Sequence, residues 1–163
     1  MKQNILFVSL NNDFSRQLGK EVANQLEMFF VDVDDMLQYS LVDENMLLKS
    51  GREYFDKQEK KVIRGITAFQ NVLIVGNFET LSKFDYLAEI CQNATLVYLK
   101  FSKQKLSKIF ASVANQNQGF AFLAEDKFLQ GIADVVVRPK QDDTDKDTAI
   151  KAIAKYFQKE TKK

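Results

Sequence analysis

Five short apolar runs punctuate the chain: NILFVSL (4–10), FFVDV (29–33), VLIVG (72–76), TLVYLK (95–100) and DVVVR (134–138). They are rich in β-branched residues and nearly unbroken, the pattern of strands buried on both faces of a parallel sheet. Between them, apolar positions recur at helical spacing. Leu18, Val22 and Leu26 share one face of a helix over 18–26, with Lys20, Glu21 and Asn24 turned away. A helix over 52–69 carries Phe55, Val62, Ile63, Ile66 and Phe69, with Glu59 one turn before Ile63, so that polar and apolar faces alternate. Ser102 is placed to cap a helix beginning KQKLSKIF, and Asp145 or Asp147 to cap the last one, TAIKAIAKYFQK. Strands alternating with helices predict a doubly wound α/β fold in three layers. There is no internal repeat and no linker rich in Pro, Gly or Ser. The polar run KQDDTDKD (140–147) reads as a surface turn, and residues 1–163 as one domain. Ligands of such sheets bind beyond the C-terminal ends of the strands, so candidate site residues follow Leu10, Val33, Gly76, Lys100 and Arg138.

Composition narrows the chemistry. Of the 163 residues, 45% are hydrophobic and 28% charged, the balance of one ordinary globular core. A net charge of +1 supplies no general field for nucleic acid, an anionic membrane or a polyanion. The lysines of YFQKETKK read as a solvated helix end. The single cysteine, Cys91, excludes an internal disulfide and any multi-cysteine zinc site, and is expected as a buried or half-buried thiol in a reducing compartment. With no histidine, Ser-His and Cys-His pairs, helix-borne His zinc sites and imidazole acid–base work are excluded. Carboxylates, lysines, tyrosines or a bound metal must carry any chemistry. The first apolar run is too short for a signal peptide, and no stretch reaches bilayer-spanning length. A cytoplasmic protein is expected.

Residues 4–26 form the strand–loop–helix setting in which many proteins hold nucleotide phosphates, yet the loop SLNNDFSRQ has neither glycine nor lysine. This segment is followed in order by VDVDDML, KSGREYFDKQEKKVI, VLIVGN, TLVYLK and IADVVVR. The series resembles the shikimate kinase family of small-molecule phosphotransferases, from residue 4 to about the last helix. The resemblance implies a five-stranded sheet of order 2-3-1-4-5 and a phosphate loop GxxGxGK[ST], whose amides and lysine hold ATP and whose hydroxyl binds Mg²⁺. Here the glycine positions hold Ser9, Asn12 and Phe14, the lysine position Ser15 and the Ser/Thr position Arg16. Asn12, Ser15 and Arg16 are the residual nucleotide-binding candidates. Asn12 tolerates a left-handed backbone, but Phe14 does not, and its ring would fill phosphate space. Asp13 adds negative charge where a triphosphate would sit.

The family's Asp-x-Asp at the end of strand two is matched by Asp32 and Asp34. The resemblance implies that Asp34 binds shikimate hydroxyls and activates the attacking one, making it the candidate catalytic and substrate-binding residue, while Asp32 assists the metal. Read from the residues alone, Asp34 or Asp35 caps the helix MLQYSL; Asp35 is the favoured cap and Asp34 stays open. Gly-Glu-x-x-Phe-Arg appears as Gly51, Glu53 displaced by one, Phe55 and Asp56, an aspartate where the family's arginine pairs with the substrate carboxylate. The Gly-Gly-Gly turn reads Gly76, Asn77, Phe78, so Gly76 is either a substrate contact or, the favoured alternative, a tight strand exit. From Phe101 to Asp134 there is no arginine, and the stretch is shorter than the family's by about a lid's length. Ile109 falls near the adenine-contacting arginine, Glu125 near a second substrate-carboxylate arginine.

Losing the phosphate clamp, metal hydroxyl and cations removes most of what phosphoryl-transfer catalysis consists of. The expectation is a degenerate member without ATP-dependent phosphotransfer, acting as a binding or regulatory module through an unknown protein partner or self-association. No cofactor is expected, a small-molecule ligand is doubtful, and neither nucleic acid nor membrane is a partner. ATP and Mg²⁺ belong to the alternative, a divergent shikimate kinase or other small-molecule kinase acting on a hydroxylated carboxylate. Phe14, Phe78, Phe120, Phe122 and Phe128 either plug the emptied cleft or form an interface, with plugging the commoner fate of phenylalanine.

Overall fold

The apolar runs pair as a parallel sheet. The computed structural model describes residues 2–102, 116–139 and 145–162, the side chains of 116–122 excepted. Its strands are β1 (Asn4–Ser9), β2 (Phe29–Asp32), β3 (Val72–Val75), β4 (Ala94–Leu99) and β5 (Val135–Val137), each within a residue of its expected bounds. Their order is β2-β3-β1-β4-β5, and every pairing is parallel. The described helices are α1 (Asn12–Gln25), α2 (Val33–Tyr39), α3 (Glu44–Ser50), α4 (Arg52–Thr67), α5 (Phe78–Leu81), α6 (Tyr86–Cys91), α7 (Gln116–Ile132) and α8 (Lys146–Thr161).

The pleat sends alternate side chains to opposite faces. Ile5, Phe7, Leu73, Val75, Val97 and Leu99 meet Leu18 and Val22 of α1 and Ala149 and Ile153 of α8. Leu6, Val8, Ile74, Leu96 and Tyr98 meet Leu37 of α2, Ile63 and Ile66 of α4, Ile90 of α6 and Leu129 of α7. Three layers follow. Helix α1 lies close on the sheet at Gly19, where a Cβ would stand 2.9 Å from Val75 Cγ1. Among the described residues no helix is long and apolar enough to cross a membrane.

Four expectations need correction, whereas Asp145 and Cys91 fall where they were expected. Helix α1 begins six residues earlier than residue 18, at Asn12, and absorbs most of the supposed loop. Glu59 is no part of a polar face: it shares the face of Ile63 and is only 2% exposed. Asp32, not Asp35, caps α2, because that helix starts at Val33 and the cap moves upstream with it. Phe69 lies beyond the end of α4 and is exposed. Asp145 caps α8, accepting from the Thr148 amide at 3.3 Å. Cys91 is half-buried, and burial pushes its thiol pKa up. The expected helix KQKLSKIF, Ile109 and most of the turn 140–147 lie outside the described residues.

Candidate functional site

Only Leu10 and Asn11 separate β1 from α1. The Asn11 carboxamide caps the helix, accepting from the Phe14 amide at 3.3 Å, and the Ser15 amide donates to the Asn11 carbonyl at 3.2 Å. The Ser9 hydroxyl donates to the Asn11 carbonyl and accepts from the Asn11 amide at 3.2 Å and from the Ser15 hydroxyl at 2.6 Å. The local sequence explains this tight bend. No glycine interrupts 9–18, Asn is a preferred N-cap, and Asp13 suits the positive end of the helix dipole. Phe14 therefore takes ordinary helical backbone rather than the strained left-handed one; no residue of the turn has positive φ. Its ring, 2% exposed, enters the α1-side core with its centroid 4.9 Å from that of Phe101. Phe14 is thus a core residue.

Arg16, one turn into α1, reaches β2. Its Nε lies 2.7 Å from Oδ2 of the buried Asp32, and Nη2 lies 3.8 Å from Asp35 Oδ1. This short Nε–Oδ2 ion pair takes up both atoms, guanidinium against carboxylate. Asp32 Oδ1 accepts the amides of Asp34 at 2.9 Å and Asp35 at 3.3 Å. The charge of Asp32 holds the Arg16 pKa above its ordinary value; burial opposes it, and the charge of Asp35 adds a smaller upward push.

Asp34 ties three strand ends together. Its Oδ2 accepts from the Asn12 carboxamide at 3.2 Å and from the Asn77 amide, just past β3, at 3.0 Å. Burial raises its pKa above the usual carboxylate range, with the Asn77 hydrogen bond pulling the other way. Asn12 Oδ1 is buried without a partner among the described residues. Gly76 is buried beside this junction, and a Cβ there would stand 3.1 Å from both Leu81 Cδ1 and Val33 Cβ. Close packing accounts for that glycine.

Farther along the cleft the charges are unlike any motif read from the chain. Asp56 pairs loosely with Arg52 at 3.9 Å. The buried Glu59 accepts from Tyr86 Oη at 3.0 Å and Lys83 Nζ at 3.3 Å, and Lys83 also stands 5.7 Å from the Phe55 ring centroid. Tyr98, wholly buried on β4, donates to Asp126 on α7; Gln130 Nε2 donates to the same carboxylate at 2.8 Å, and Lys100 lies 3.8 Å away. Burial, then the charge of Glu79, raises the Glu125 pKa. Phe78 is half-buried, with its ring centroid 6.0 Å from that of Phe128, which remains 49% exposed. Sequence reasoning missed Lys83, Tyr98 and Asp126, which no motif marks. The available signal for Glu59 was its i,i+4 spacing from Ile63. The side chains of Phe120 and Phe122 lie outside the described residues.

Strand order and the helices on both faces define a doubly wound α/β protein. A model of the shikimate kinase family matches residues 16–149, and the chain belongs to that family. It is 28% identical over 93 residues to a shikimate kinase of Parabacteroides distasonis, a match covering 56% of this chain and 54% of that protein. The chain thus spans about half the length of the curated relative it matches. Solved shikimate kinases share the fold at lower identity. That of Aquifex aeolicus gives a TM-score of 0.74 at 16% identity, covering 97% of this chain and 98% of that one. That of Bacteroides thetaiotaomicron gives 0.73 at 13%, covering 95% and 98%. That of Acinetobacter baumannii, solved with shikimate, gives 0.72 at 15%, covering 96% and 94%.

Proposed function

We propose that this protein is a shikimate-kinase-fold protein that has given up ATP-dependent phosphotransfer and works by binding, as a regulatory or partner module. The observation that carries the reading is the first turn. Gripping a phosphate there needs backbone amides turned to an open concavity, with a cation beside them. In this chain the Phe14 and Ser15 amides donate to Asn11, and Phe14 is built into the core. The nearby cation, Arg16, is held by Asp32. The family match begins at Arg16, past this turn.

A metal-bound nucleotide fits this donor set poorly. Both Asp32 oxygens are engaged, one by two amides and the other by a guanidinium, and an arginine stands where the family's metal-binding hydroxyl would be. The alternative, a divergent kinase acting on a hydroxylated carboxylate, leans on Asp34, a carboxylate of raised pKa at the strand ends. Two measurements separate the readings. Calorimetric titration with Mg·ATP is expected to give no binding tighter than millimolar, and a coupled assay with shikimate no turnover above background. Tight Mg·ATP binding, or turnover abolished by Asp34→Asn, establishes the kinase instead.

A further inference from the structure

A groove of about 380 Å³ opens between α2 and α4, away from the strand ends. Met36, Val42, Val62 and Phe69 give it apolar walls, with Lys61 and Gly65 of α4 along one side. A Cβ at Gly65 would meet nothing within 4 Å. No contact inside the chain therefore calls for glycine there, although glycine weakens a helix interior.

Beside the groove stands a knob. Ser40 and Val42 line the groove, while Tyr39, 91% exposed, and Leu41, 69% exposed, project from the same corner. The Leu41 amide donates to the Gln38 carbonyl at 3.0 Å and the Val42 amide to the Leu37 carbonyl at 2.9 Å, closing α2 in a Schellman turn. Leu41 occupies its left-handed position, at φ 59°, where glycine would be unstrained. The backbone carries strain, and what it presents at that point is an apolar side chain. Glu44 follows the knob and Lys61 flanks the groove. Neither has an ion-pair partner among the described residues.

Singly exposed apolar residues are ordinary. Here a projecting apolar element with a carboxylate adjoins a receiving apolar element with an ammonium, so one face carries both halves of an apolar contact and of an ion pair. A two-fold axis between the two would seat each copy's Tyr39–Leu41 knob in the other's groove and bring Glu44 towards Lys61. We infer that a second copy of this chain covers the α2–α4 groove, in an isologous dimer. The inference does not depend on whether the strand-end site retains activity.

Sedimentation equilibrium of the intact chain, at concentrations up to about 100 μM, is expected to give twice the 18.8 kDa of one chain. Gly65→Lys fills the groove from a position open to solvent, and should weaken the dimer by at least about tenfold in Kd. Lys61→Glu and Glu44→Lys should each weaken it, and together restore it. Should Gly65→Lys fail to fold by circular dichroism, the exposed substitution Tyr39→Ser carries the same expectation. A wild-type monomer at the highest concentration overturns the inference and leaves the groove to another protein. A dimer indifferent to these substitutions overturns it as well, by placing the interface elsewhere.

Discussion

Asp34 is a carboxylate that the fold holds against its preference. Burial raises its pKa, so the folded protein keeps the Asp34 proton to higher pH than the unfolded chain does. Ionising it therefore costs folded stability. The cost begins as pH rises past the ordinary carboxylate value and is complete above the raised one. Asp34→Asn, which can still accept from Asn77, is expected to exceed the wild type in stability at neutral pH. Its advantage should shrink to nothing as pH falls to the ordinary carboxylate pKa. Urea unfolding at a series of pH values checks this; a difference constant across pH would mean that the burial is not felt. Such environments were not legible residue by residue. Asp32, Asp34 and Asp35 are alike in the sequence, yet one caps and pairs, one bridges strand ends and one stays exposed. Where α2 begins, and what lies across from it, makes the difference.

Among the elements, α1 departs most from its expected form. Its apolar stripe of Leu18, Val22 and Leu26 set the face correctly, but the polar letters before it concealed an earlier start. Asn11 as cap and Asp13 in the first turn are helix-start signals, which the resemblance to a phosphate loop hides. Once the helix begins at Asn12, Phe14 is one turn before Leu18 and falls on its buried face. Phe14→Ala is then a core truncation, expected to cost about 3–5 kcal/mol in urea denaturation, the usual range for a buried Phe. A loss below about 1 kcal/mol, as for a surface residue, would contradict the core placement. The strands were legible almost to the residue. Strands buried on both faces leave near-continuous apolar runs, and few other elements of that length do so.

For the molecule as a whole, stability should be indifferent to nucleotide. A ligand that binds only the folded state at 100 times its Kd adds about 2.7 kcal/mol and raises Tm. Heating scans with millimolar Mg·ATP are expected to superimpose on those without it. A rise of several degrees would show that the strand-end surface still receives a nucleotide. The paired charges bear on this expectation. Arg16, Lys83 and Lys100 point at Asp32, Glu59 and Asp126, so these three cations are spent internally. A net charge of +1 records none of that arrangement.

The order of apolar runs and helical stripes was enough to fix a parallel, doubly wound sheet. Hydrophobic periodicity is local, each strand or helix declares its own buried face, and few topologies bury all of them together. The partners of the polar groups were decided only in three dimensions. Arg16 finds Asp32, Glu59 finds Tyr86 and Lys83, and Tyr98 finds Asp126 across long stretches of chain. Sequence spacing carries no trace of these meetings. A buried charge or hydroxyl is bound to whatever partner the packed layers bring within hydrogen-bond reach, and that is settled when the layers close.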